Sequence, residues 1–120
     1  MQETIVRIER ATAKNKKYSA IVKNKSTGKT RKINFGSSTN MQYKDSTPLK
    51  AFASKNHLDK KRRKNYFMRF SGVATKTEAI KKERASGKYS PKLLSHMFLW
   101  IVAVASLISL SLNTTASSIV

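Results

Sequence analysis

The first third of the chain alternates apolar and polar residues, the period-2 pattern of half-buried strands. Val6 and Ile8 share one face of residues 4–10; Tyr18, Ala20 and Val22 share one face of residues 18–23; Ile33 and Phe35 do so in residues 29–35. Residues 24–28, Asn-Lys-Ser-Thr-Gly, read as a hairpin loop in which Gly28 supplies a positive φ. Residues 36–40 break the pattern, and the spacing then becomes helical. Pro48 opens a short helix carrying Leu49, Phe52 and Ala53. Asn56 as N-cap with Asp59 at N3 starts a helix through about Phe70, and Thr75 with Glu78 forms a capping box for a polar helix that stops before Gly87. Ser90-Pro91 pairs a cap residue with proline at the first helical position and starts a third helix. The pattern predicts an α+β fold: a small antiparallel sheet (a hairpin plus an N-terminal strand), two or three helices, and a C-terminal hydrophobic helix.

Charge sharpens the division of the chain. All 25 lysines and arginines, and all six acids, precede residue 93, so the first 92 residues carry the whole net charge of +19. Self-repulsion on that scale opposes compaction. Residues 93–112 are uncharged and as a helix would measure roughly 30 Å, the hydrocarbon thickness of a bilayer. The chain thus divides into a basic α+β domain (1–92), a transmembrane helix (93–112) and a short polar tail (113–120). Leu93, Leu94, Phe98, Leu99, Trp100, Ile101, Val102, Val104, Leu107, Ile108, Leu110 and Leu112 are its expected lipid-facing residues, with His96 at the interface beside the basic end. The competing reading is a buried C-terminal helix in a protein contact.

The absence of cysteine excludes disulfides, thiolate zinc sites and cysteine nucleophiles. The first residues lack the basic and apolar regions of a signal peptide. His57 and Asp59 stand two apart, but no second carboxylate pair, serine elbow, glycine-rich phosphate loop or metal-binding cluster accompanies them. The expectation is a protein that is not an enzyme and needs no cofactor, metal or small-molecule substrate.

Lys60, Lys61, Arg62, Arg63 and Lys64 are consecutive, and Arg69 follows among Tyr66, Phe67 and Phe70. Five successive helical residues point all the way round, so they cannot all face one duplex. A nucleic-acid patch and a nuclear-localisation stretch remain open. The favoured reading is a structural helix in which Leu58, Tyr66, Phe67 and Phe70 pack inward while the cations meet acids of a neighbour or lipid phosphates.

Three stretches, residues 43–49, 57–69 and 89–100, resemble a family of small basic proteins of large icosahedral double-stranded DNA viruses (chlorovirus, phycodnavirus and mimivirus-like). The shared features are Phe35-Gly36; then His57, Asp59, Arg62, Tyr66 and Arg69 at matching spacing; then a Leu-Ser-His-x-x-Leu-Trp segment ending at Trp100. The resemblance covers about residues 18–100. Two departures stand out: Phe70 replaces a histidine after the last arginine, and the chain continues twenty residues past Trp100. If residues 93–100 pack on the domain as in those relatives, the apolar stretch left over is too short to span a bilayer unaided.

What the resemblance implies is a virion structural role, as a minor capsid protein under the major capsid lattice that links capsomers to the internal membrane. Its partners would be the major and other minor capsid proteins and that membrane, its location the inner face of the capsid and, during assembly, a host membrane. The alternative is a membrane-attached nucleic-acid-binding protein that tethers the viral genome.

Overall fold

The computed structural model describes residues 1–100. Strands β1 (Glu3–Arg10), β2 (Lys16–Asn24) and β3 (Thr30–Ser37) form an antiparallel sheet in the order β1-β2-β3. Helices α1 (Lys60–Ser71), α2 (Lys76–Arg84) and α3 (Pro91–Leu99) follow, so the α+β class read from the sequence holds. Gly28 takes φ +75° in the hairpin loop, as its position required.

Tyr18, Ala20, Val22, Ile33 and Phe35 are buried on the face expected of them. In β1 the face differs. Ile5 pairs with Val22 and Arg7 with Ile21, which leaves Val6 as the extra residue of a β-bulge. A bulge flips the alternation, so Ile5 and Ile8 point into the core and Val6 stays partly exposed.

Two helix starts also differ from the sequence reading. Pro48 opens no helix; a single 3-10 turn, Ala53–Lys55, lies beyond it. Asp45 organises this stretch instead. Its buried carboxylate accepts from Tyr18 Oη (2.5 Å), Thr47 N (3.0 Å), Thr47 Oγ1 (2.6 Å) and Phe52 N (3.0 Å). Burial and the Asp45 hydrogen bond push the Tyr18 phenol up to about 12. The N-cap of α1 is Asp59, not Asn56: its Oδ1 accepts from Lys61 N and Arg62 N. Asn56 is used elsewhere, its Oδ1 accepting from Gln42 Nε2 and Asp45 N. The starts at Thr75 and Ser90-Pro91 are as expected, with Thr75 accepting from Glu78 N and Ser90 from Leu93 N.

The largest correction concerns α3. Leu93, Leu94, Met97, Phe98 and Leu99 are buried in the core cluster with the sheet, so a domain boundary at Lys92 would cut through the core. Leu93, Leu94, Phe98 and Leu99 therefore face protein and not lipid, and Trp100 lies half-buried against α1. The helix also ends at once. Phe98 O accepts from Ser46 N (2.8 Å) and Leu99 O from Lys44 N (3.0 Å), and Trp100 leaves helical geometry at φ −124°, ψ 7°.

Hydrophobicity reports a need for burial and is silent on the solvent that provides it; here the sheet provides it. Among the described residues no helix is long and apolar enough to cross a membrane. The other expected membrane positions, Ile101, Val102, Val104, Leu107, Ile108, Leu110 and Leu112, lie outside the described residues.

Gly36 makes the docking of α3 possible. It has φ +78°, and a Cβ there would sit 2.8 Å from Leu99 Cδ1 and 3.2 Å from Lys17 Cβ. Only a bare backbone lets Leu99 lie against β3. An ion pair between buried Glu3 and half-exposed Arg31 closes the other end of the sheet. Glu3 on β1 accepts two bonds from Arg31 on β3 (2.7 and 2.9 Å) and one from Tyr89 N (2.8 Å), and the Arg31 bond is the main cause holding the Glu3 carboxyl below its usual range.

Burying five large apolar side chains at about 1.5–3 kcal/mol each is worth roughly 10 kcal/mol, comparable to the whole stability of a domain. A chain ending at Lys92 should therefore be unfolded by circular dichroism and urea titration, while one ending at Trp100 should melt cooperatively. A cooperative transition in the shorter chain would show that α3 is dispensable.

Candidate functional site

The residues that carry the family resemblance come together around one end of α3. Asp59 caps α1, and its own N–H donates to His57 Nδ1 (2.9 Å), so His57 fixes the turn that leads into the helix. Burial, then nearby Arg62, lowers the pKa of His57. The His57 ring lies 5.3 Å from Trp100, and Trp100 stacks on Tyr66 at 4.0 Å with 7° between the planes. Phe35 packs against Phe98, and Gly36 admits Leu99. Leu58, by contrast, does not pack inward as expected: it is 58 % exposed, and Phe70 is 42 % exposed. Phe67 is the fully buried residue of α1's apolar face.

Behind this stack lies a relay that the sequence reading did not find. His96, expected at a membrane interface, is fully buried. Its Nδ1 is 2.8 Å from Tyr66 Oη and its Nε2 is 2.7 Å from Ser71 Oγ, while Ser71 Oγ donates to Glu83 Oε2 (2.8 Å). One set of protons satisfies the whole line. Because Ser71 gives its hydrogen to Glu83, His96 donates through Nε2–H and Tyr66 donates to Nδ1. The imidazole is neutral, its pKa pushed down to about 4 by burial. Since the serine proton goes to the carboxylate and not to the histidine, this is a packing device that ties α1, α2 and α3 together. The histidine in Leu-Ser-His was its only visible signal, since the partners lie 13 to 30 positions away in the chain.

The outer face of α1 lines a groove of about 800 Å³. Arg62, Asn65, Tyr66, Arg69 and Phe70 form one wall at the spacing of a single helix face. Lys92, Ser95 and Leu99 of α3 stand opposite, and Lys16, Lys17, Phe35 and Gly36 come from the sheet. The expected basic patch is thereby split. Arg62 and Arg69 enter the groove; Arg63 turns away to lie 4.3 Å over the Tyr43 ring; Lys60, Lys61 and Lys64 are exposed outside it. Lys17 is a groove cation that residue order alone does not single out. It is buried, donates to Asn40 O (2.7 Å), and has its pKa lowered to about 8 by burial and by Lys55.

The groove lining holds five cations and no carboxylate. None of α1's six cations is ion-paired among the described residues. The chain's six acids are each engaged inside the fold: Glu3 with Arg31, Glu9 with Arg7 and Lys32, Asp45 with Tyr18, Asp59 and Glu78 at helix caps, and Glu83 with Ser71. Chemically this is an anion-receiving surface with apolar ground beneath it. Comparison with family models, curated proteins and solved structures finds no match to this chain.

The relay sets a pH dependence. Unfolded His96 binds its proton near pH 6.5, whereas the folded side chain binds it near 4, so the unfolded state gains protons first and stability falls as pH drops from 6.5 towards 4. Urea titrations should show His96 accounting for about 2–3 kcal/mol of loss at pH 4.5 relative to pH 7.5. His96→Gln should be less stable at pH 7.5 but lose correspondingly less on acidification. Parallel pH profiles for the two proteins would rule out His96 as the acid-sensitive group.

Proposed function

We propose that this chain is a non-enzymatic structural protein, a minor capsid protein of a large icosahedral DNA virus that binds acidic surfaces of neighbouring capsid proteins beneath the shell. The observation that carries this reading is the uncompensated charge of α1. Lys60, Lys61, Arg62 and Arg63 fill the positive end of the helix dipole, with no acid in the first turn and only Asp59 as counterweight. Lys60 and Lys64 add like-charge repulsion at i, i+4. Alone, the domain bears that cost; against an acidic neighbour the same residues become its main source of attraction.

A membrane span over residues 93–112 is no part of this role, because Leu93, Leu94, Met97, Phe98 and Leu99 belong to the core. The genome-tethering alternative draws on the same charge but fits the groove less well. Tyr66 and Trp100 are stacked on each other and His57 lies against Trp100, so those rings are already engaged and poorly placed to stack on bases.

Zero-length carbodiimide coupling in purified particles, read by mass spectrometry, tests the role. Lysines of α1 should be joined to aspartates or glutamates of capsid proteins. Absence of the chain from the particles, or its recovery only in photo-cross-links to DNA, would overturn it.

A further inference from the structure

We infer that the groove between α1 and α3 is a peptide-binding site, and that its occupant is an extended acidic segment of a partner protein with apolar residues between its carboxylates. This rests on the reading of an acidic protein partner and adds where, and in what form, that partner is held.

The groove follows α1 for two turns. Arg62 and Arg69 stand seven residues apart on the same face, about 10 Å along the axis. Three residues of a polyproline-II chain rise about 9 Å and complete one turn, so carboxylates at every third position project on one side at nearly that interval. Guanidinium forks suit carboxylates, and Lys92 on the facing wall and Lys16 at the sheet end allow further pairs. Beside Arg69, whose guanidinium lies 5.2 Å over the Phe70 ring, the lining is apolar and open: Phe70 is 42 % exposed and Met41 43 % exposed. An acidic segment with leucine or proline at intervening positions covers both. A phosphodiester strand matches the charge, but Tyr66 and Trp100 are stacked on each other, which leaves Phe70 as the exposed ring of the lining and a run of bases with a single platform.

The probe is a fluorescein-labelled nine-residue peptide with glutamate at every third position and leucine and proline between, titrated into the full-length protein and read by anisotropy. The same peptide with glutamine for glutamate is the charge control. Oligothymidylate of equal charge is the competitor. Arg62→Glu/Arg69→Glu should weaken binding by about tenfold or more, while Lys61→Glu/Lys64→Glu, equal in charge change but outside the groove, should weaken it less than about threefold. Both pairs are exposed, and unchanged melting curves confirm folding; Arg62→Gln/Arg69→Gln replaces the reversal if it does not fold.

Equal losses for the two pairs would mean that binding follows general charge, which removes the groove site and leaves the capsid role standing. Displacement by oligothymidylate at lower concentration than by unlabelled peptide would make the groove a nucleic-acid site. Indistinguishable binding of the glutamate and glutamine peptides would remove the carboxylate–arginine basis altogether.

Discussion

Docking of α3 on the sheet sets the rest of the structure. Leu99 can approach β3 only because position 36 lacks a side chain, and the helix can stop there only because Lys44 and Ser46 take up its last carbonyls. The apolar face that docks also carries His96, a polar group that must be paired once buried. Its two nitrogens draw Tyr66 and Ser71, and with them α1, to fixed positions. Tyr66 in turn receives Trp100, the first residue beyond α3. With α1 pinned through Tyr66, the residues one turn to either side, Arg62 and Arg69, are left facing outward along the groove. A chain of ordinary contacts thus runs from one glycine to the basic groove.

The same arrangement explains how so basic a chain folds with so few acids. Five of the six acids are engaged away from the cations of α1, which leaves Asp59 at the N-cap as their one counterweight among the described residues. Charge is tolerated because most of the lysines and arginines are solvated, where screening makes repulsion cheap. Lys17 is the exception, and it responds by holding its proton less tightly. Stability comes from the apolar cluster shared by sheet and helices, and the surface charge is free to serve binding.

Much of this was legible from residue order. Alternation placed β2 and β3, Gly28 marked the hairpin, and the Thr75 and Ser90-Pro91 signals located two helix starts. What was missed shares a cause: each miss needed a contact between distant parts of the chain. The bulge at Val6 is set by pairing with β2. Asn56 resembles a cap but answers to Gln42 and Asp45, and Asp45 resembles a loop acid but holds Tyr18. Residues 93–99 looked like lipid-facing helix because hydropathy cannot tell a sheet from a bilayer. The 62–66–69 spacing of the motif already placed those residues on one helix face; five consecutive cations obscured it.

Native-state hydrogen exchange tests the central claim, that α3 belongs to the core of the domain. Amides of residues 95–99 should exchange only through the global opening that releases Tyr18, Ala20 and Val22 of β2, with the same free energy and the same denaturant dependence. Exchange of the α3 amides by a separate, lower-energy opening, with β2 still protected, would contradict it.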